Sequence, residues 1–178
     1  MRPPMRELAG ASGEQMLNRP LGPGGNSAWP RPWGTRGMQV LTFEEIVARL
    51  TSLGGSEPRI VVSGNSATPG VLMRALTAAL ERGRIFAINS QHNWSDHPGL
   101  ISETPFVGTV MRHDPMLEYI PMRLSLVPRL FATACPVDLV LIHTSVPSNG
   151  RVSLGIEVNV LPAAIEQAGR AKGLWSPN

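Results

Sequence analysis

The stretch Arg59 to Leu80, RIVVSGNSATPGVLMRALTAAL, constrains the fold of this chain more than any other. Ile60, Val61 and Val62 form an apolar run without polar alternation, which suits a strand covered on both faces. The segment Ser63-Gly64-Asn65-Ser66-Ala67-Thr68-Pro69 breaks that run. Thr68 is a good N-cap, and Pro69 suits the first helical position, where a missing N–H costs nothing. Val71, Leu72, Ala75, Leu76, Ala79 and Leu80 then recur at helical spacing and predict a core-facing stripe, closed by Gly83. Such a unit turns backbone N–H groups and a helix N-terminus toward the carboxyl end of its strand, where α/β proteins bind anionic or acyl ligands. Ser63, Gly64, Asn65 and Pro69 are therefore candidate ligand-facing or loop-shaping positions. The same turn is also plain structure in many α/β units.

The flanking segments extend this unit into a layered domain. Thr42 with Glu45 three residues later is a capping box ahead of a helix whose apolar face holds Phe43, Ile46, Val47 and Leu50, ended by Gly54-Gly55. Arg84 to Ile88 is the next strand, and the intervening helix makes the two strands parallel neighbours. Asn89 to Glu103 reads as a polar loop, followed by a short strand over Pro105 to Val110. Asp114 and Ser125 are candidate caps of two short helices, through Tyr119 and over Leu126 to Phe131, with Pro128 in the first turn of the second. Val137 to Ser145 is a second strongly apolar strand. Asn149-Gly150 is a type I′ turn dipeptide, so residues 146–155 are expected to form a hairpin over the carboxyl edge of the sheet. A last helix carries Leu161, Ala164, Ile165 and Ala168 on one face, with Asn159 as its candidate cap and Pro162 in its first turn. The expected architecture is a three-layer α/β domain with a mainly parallel sheet.

Composition narrows the function. Residues 1–37 hold seven Gly, six Pro and five arginines (Arg2, Arg6, Arg19, Arg31 and Arg36), and no apolar periodicity, so they are expected to be a disordered extension. Residues 38–178 carry eleven basic and eleven acidic side chains, which is not the charge balance of a nucleic-acid-binding surface. No apolar run approaches the roughly 18 residues of a membrane span, and no secretory leader is evident. One cysteine, Cys135, permits no internal disulfide; it reads as a packed thiol of a cytoplasmic protein. His92, Asp96 and His97 lie in the polar loop at a spacing that matches no metal-ligand pattern, and no metal is expected. His143, near the end of the second apolar strand, reads as a site-edge histidine.

Three stretches together carry a family resemblance: RIVVSGNSATPGVLMRAL, ETPFVGTVMRHDPMLEYIPMRLSLVPRLF and VDLVLIHTSVPSNGRVSLGIEVN. They resemble the N-terminal half of the acetyl-CoA hydrolase/transferase family, which includes 4-hydroxybutyrate CoA-transferase. The resemblance spans residues 38 to about 168, and the segment Ser145 to Gly155 after its apolar strand is the most specific part. Met38 also looks like a family start. The resemblance implies two similar α/β domains with an acyl-CoA and a small carboxylate, such as acetate, exchanging CoA between them. No cofactor is bound; coenzyme A enters as a thioester substrate. A glutamate of the second domain forms a mixed anhydride and then a glutamyl-CoA thioester, which divides one hard acyl transfer into easier steps. The resemblance adds Asn149, Gly150, Ser153 and Gly155 to the opening-loop residues as cleft positions, none of them catalytic.

The family nucleophile has no counterpart among residues 38–178; Glu157 lies near the expected site but does not match it by position. After residue 173 the chain reads Leu174-Trp175-Ser176-Pro177-Asn178 where a family chain enters Leu-Val-Val-Ala-Gln. A one-base deletion converts codons for the second into the first, so residues 174–178 are read as an aberrant tail from a frameshift. On this reading 38–173 is a domain that is inactive alone, completed by a missing C-terminal domain or a second subunit, and prone to form homodimers over its uncovered cleft. Two alternatives stay open: a binding module or subunit of a two-chain transferase, and a phosphosugar isomerase-like enzyme. The latter needs acid/base carboxylates, and Asp114, Glu118 and Asp138 form no such constellation in sequence.

Overall fold

A computed structural model of the chain describes residues 39–53, 57–94, 96–146, 152–168 and 174–177. The extension 1–37, the Gly54-Gly55 helix stop and the Asn149-Gly150 turn lie outside the described residues. The first helix, α1 (Phe43–Thr51), starts where the capping box requires: the Glu45 N–H donates to Thr42 Oγ1 at 3.2 Å, and the Thr42 N–H to Glu45 Oε2 at 2.8 Å. Then follow β1 (Arg59–Val62), α2 (Gly70–Ala79), β2 (Gly83–Phe86), β3 (Leu100–Thr104), β4 (Leu117–Tyr119), α3 (Val127–Ala132), β5 (Leu139–Thr144), α4 (Leu161–Ala168) and β6 (Leu174–Pro177).

The strands form one sheet in the order β4-β3-β2-β1-β5-β6, and every pairing is parallel. Ile60, Val62, Ile85, Leu100, Leu139 and Leu141 face α1 and α2 on one side, with Ile46, Leu50, Leu72, Met73 and Leu76 packed on them. Val61, Phe86 and Val140 face α3 and α4 on the other, against Val127, Phe131, Leu161, Ala164 and Ala168. Phe86 and Phe131 meet edge to face with ring centroids 4.9 Å apart. Each fully buried Leu, Ile or Phe contributes about 1.5–3 kcal/mol, so the two apolar layers dominate the stability of the fold. This is the expected three-layer α/β domain with a parallel sheet.

Several local expectations are corrected. The third strand is Leu100–Thr104, nearly all of it inside the segment read as a loop, whereas residues 105–110 form no strand. Its polarity concealed it: Ser102 and Glu103 are buried because each finds a partner, Ser102 donating to Asp114 Oδ2 at 2.5 Å and Glu103 accepting from Arg59 and Arg84. Residues 117–119 form the edge strand β4 rather than part of a helix, and Asp114 caps a turn by accepting the Met116 N–H at 2.9 Å. Helix α2 begins one residue late, with Pro69 as its N-cap, because the Thr68 hydroxyl is engaged with the Asn65 carbonyl at 3.0 Å. Gly83 opens β2 rather than closing α2, and Met73 replaces Val71 in the core; Val71 is 45% exposed. Phe43 is likewise exposed, and Ser125 provides no cap to α3, which begins with Pro128 in its first turn. Among the described residues no helix is long and apolar enough to cross a membrane.

Candidate functional site

Strands β2, β3 and β4 lie on one side of β1, and β5 and β6 on the other. The connection from β4 to β5 therefore reverses the direction of strand addition beside β1. At such a switch point the loops leaving the carboxyl ends of the two central strands diverge and open a crevice.

Ser63 is buried at the end of β1. Its hydroxyl donates to the Ala67 carbonyl at 2.7 Å and accepts the His143 N–H of β5 at 3.1 Å. It stitches the two central strands together and shapes the crevice. Gly64 follows with a steric reason for being glycine: a Cβ there would overlap the Ile88 carbonyl oxygen. Asn65 takes the left-handed conformation, φ 46°, which Asn tolerates better than most residues. Its N–H donates to the Asn89 carbonyl at 3.0 Å. Asn89, in the loop after β2, is left-handed too, φ 51°.

The side chains of these two asparagines continue into a longer arrangement. Asn89 Nδ2 donates to Asn65 Oδ1 at 2.6 Å, and Asn65 Nδ2 donates to Glu157 Oε2 at 2.8 Å. Asn159 Nδ2 donates to the other oxygen, Glu157 Oε1, and Asn159 Oδ1 accepts the Val160 N–H ahead of α4. At the far end Asn89 Oδ1 occupies the space that a Cβ at Gly108 would need. One amide–carboxylate relay thus ties the loops after β1, β2 and β5 together and packs on the loop after β3. Glu157 is 4% exposed, and its oxygens are held by neutral amides; among the described residues it takes part in no ion pair.

The expected cleft residues divide accordingly. Ser63, Gly64 and Asn65 converge at the switch point, and Pro69 is buried behind them at the start of α2. Ser153 stands on the returning segment, where its carbonyl accepts the Ser145 N–H and its N–H donates to Ser145 Oγ, both at 2.9 Å. Gly155 is exposed in a turn at φ 64°. Asn149 and Gly150 lie outside the described residues. Sequence reasoning missed Asn89 and Gly108 as members of this edge, and treated Asn159 only as a helix cap. An Asn directly after an apolar strand, as in Ile88-Asn89, is the local signal that could have found the first.

The rim is apolar. Val146 and Val152 are exposed, and Ile156, beside Glu157, is 83% exposed. Nearby, the imidazole of His92 packs at a tilt against the buried Trp94, with ring centroids 4.3 Å apart, and burial, then repulsion from His97, holds its pKa below the usual range. Nδ1 of His143, at the carboxyl end of β5, is buried with no partner among the described residues. The chemistry of this edge is that of positioning: amides, a carboxylate and close-packed glycines. The Ser63 hydroxyl is committed to the backbone at both its donor and its acceptor side, so it makes no nucleophile–base pair. Among the described residues no three His, Cys, Asp or Glu side chains are grouped to hold a metal.

No protein-family model and no curated protein matches the chain. Solved structures do. RipA from Yersinia pestis aligns with a TM-score of 0.61 at 18% identity, over 75% of this chain and 36% of its own. A 4-hydroxybutyrate CoA-transferase from Porphyromonas gingivalis aligns with a TM-score of 0.50 at 16% identity, over 75% of this chain and 32% of its own. The fold is therefore CoA-transferase-like, and the chain spans about a third of the length of these structures.

Proposed function

We propose that this chain is a CoA-transferase-like module, equivalent to the N-terminal half of an acetyl-CoA hydrolase/transferase, and that it forms one wall of an acyl-transfer cleft. The observation that carries this reading is the amide–carboxylate relay at the switch point between β1 and β5, where a parallel α/β sheet receives ligands. The likeness in fold to a 4-hydroxybutyrate CoA-transferase supports the substrate class, an acyl-CoA and a small carboxylate.

In this reading the chain positions and a second half reacts. A glutamate of that half attacks the thioester carbonyl and expels CoA thiolate, leaving a mixed anhydride. The thiolate then attacks the glutamyl carbonyl, releases the first carboxylate and leaves a glutamyl-CoA thioester for the acceptor. The second half is a further domain or a separate subunit. The exposed Val146, Val152 and Ile156 on the segment that carries Glu157 favour a protein surface as the cover.

The test has two arms. Purified chain mixed with acetyl-CoA and free carboxylates is expected to show no CoA transfer. Titration with acetyl-CoA is expected to shift backbone amide resonances of residues 63–68 and 152–159. Turnover by the pure chain, or shifts confined to other parts of the sheet, overturns the reading.

A further inference from the structure

The direction of every hydrogen bond in the relay follows from one group. A carboxylate only accepts. Glu157 therefore requires Asn65 and Asn159 to present their NH2 groups to it. Asn65 then has only its carbonyl left for Asn89, so Asn89 must turn its own NH2 toward Asn65 and its Oδ1 toward Gly108. The order Asn89 to Asn65 to Glu157 is a row of aligned donors ending on a negative charge. Such a row strengthens each member and leaves no second arrangement of equal energy. Both asparagines also hold left-handed backbone, a conformation that surrounding contacts must impose on a residue with a Cβ.

We propose that Glu157 is the positioning residue of this site: its carboxylate orients the Asn65 and Asn89 amides and thereby fixes the ligand-facing loop after β1. It acts through Asn65, on which the loop turns, and reaches Asn89 without touching it. The ligand clause rests on the proposed CoA-transferase function; the orientation clause does not.

Glu157→Gln is nearly isosteric and removes the charge. The glutamine can accept one amide, but it sets its NH2 against the other. The relay then has competing orientations. Asn65→Asp combined with Glu157→Gln moves the charge by one residue and restores a complete donor order: Asn159 to Gln at 157, that Gln to Asp at 65, and Asn89 to the same Asp. Aspartate tolerates left-handed backbone as asparagine does.

The experiment measures side-chain amide hydrogen exchange at Asn89, and acetyl-CoA affinity, in the full chain. Glu157→Gln is expected to speed Asn89 exchange about tenfold and to weaken acetyl-CoA about tenfold, as loss of a charge-assisted hydrogen bond does. The double variant is expected to recover most of both. A purely space-filling role for Glu157 would move neither, since the volume is kept. Unchanged Asn89 exchange in Glu157→Gln, or a double variant no slower than the single one, overturns the proposal. If Glu157→Gln does not fold, the double variant decides: a folded chain with wild-type Asn89 exchange supports the proposal, and an unfolded one sinks it. A wild-type chain that ignores acetyl-CoA while the exchange pattern follows the charge overturns the functional reading and the ligand clause alone.

Discussion

Arg59, Arg84, Glu103 and Glu118 on one face of the sheet, and Asn89, Asn65, Glu157 and Asn159 at its carboxyl edge, both join neighbouring strands or loops through side chains. They do so with different chemistry. Glu103, 3% exposed at its side chain, is gripped by Arg59 at 2.8 Å and Arg84 at 2.7 Å, and Arg84 also reaches Glu118 at 2.7 Å. Burial pushes the Glu103 carboxyl up, but the hydrogen bonds and charges of the two arginines outweigh it and hold the group below the usual carboxylate range. The hydrogen bonds that Arg84 donates to Glu118 and Glu103 raise its own pKa in turn. These charges are neutralised among themselves, and they lie within strands β1 to β4. Glu157 is as deeply buried but is held by amides alone, on a segment that also carries the exposed Ile156. A closed ion network uses its field internally. A carboxylate held by neutral amides instead orients those amides, and through them the loop after β1.

The largest predicted effect tests how tightly the carboxyl edge is built. Gly64→Ala places a Cβ against the Ile88 backbone carbonyl, which has no freedom to swing aside. A loss of about 4 kcal/mol in urea unfolding is expected, at the upper end for single substitutions. Gly108→Ala meets a side chain, Asn89 Oδ1, which can move; about 1–2 kcal/mol is expected, within the usual range of overpacking. Equal losses at the two positions would mean that the relay is as rigid as backbone.

The same change made in both regions sharpens the contrast. Glu103→Gln leaves Arg59 and Arg84 without their shared carboxylate and should cost about 3 kcal/mol, as breaking a buried pair does. Glu157→Gln strands no charge and should cost about 1 kcal/mol. Comparable losses would erase the distinction drawn between the two. Acid separates them further. Because the Glu103 pKa is lowered in the folded chain, its contribution is complete above the ordinary glutamate value, about 4.3, and is lost as pH falls from there through the lowered value. Wild-type chain should therefore lose urea resistance below about pH 5, and Glu103→Gln should flatten that decline.

How much of this was legible in the sequence depends on how far apart the partners lie. The capping box at Thr42, the β1–α2–β2 unit, the apolar β5 and the buried stripe of α4 were readable because each is a pattern within one element. Strand β3 was not, because Glu103 reads as a loop residue until Arg59, 44 positions earlier, is known to neutralise it. The loop Ser63-Gly64-Asn65 was read as a candidate ligand-facing loop from local turn chemistry, and it lies at the switch point beside β5. Its partner Glu157 lies 92 positions away, and only the return of β5 beside β1 brings the two together. Nothing local marks Asn89 and Gly108 as a packed pair either, since the requirement for glycine at 108 comes from an amide oxygen of another loop.

The smallest predicted effect concerns the loop that links the two regions, between β2 and β3. His92 packs against Trp94, which is itself buried in the core beneath α1 and α2. Burial first, and the charge of His97 second, lower the His92 pKa in the folded chain. The unfolded chain then takes up the proton first as pH falls through the ordinary histidine value of about 6.5. Stability is accordingly complete above that value and declines below it until the lowered folded value is passed. His92→Asn should reduce the fall in urea midpoint between pH 7.5 and 5.5, and His97→Asn should reduce it less, since repulsion is the minor cause. Neither should alter the steeper loss below pH 5 assigned to Glu103. If His92→Asn leaves the upper window unchanged, the loop does not report on its own burial. If it changes the lower window, the two regions are coupled through Trp94 rather than separate. The two acid windows thus measure independence directly, one for the ion network and one for the loop that carries Asn89 into the relay.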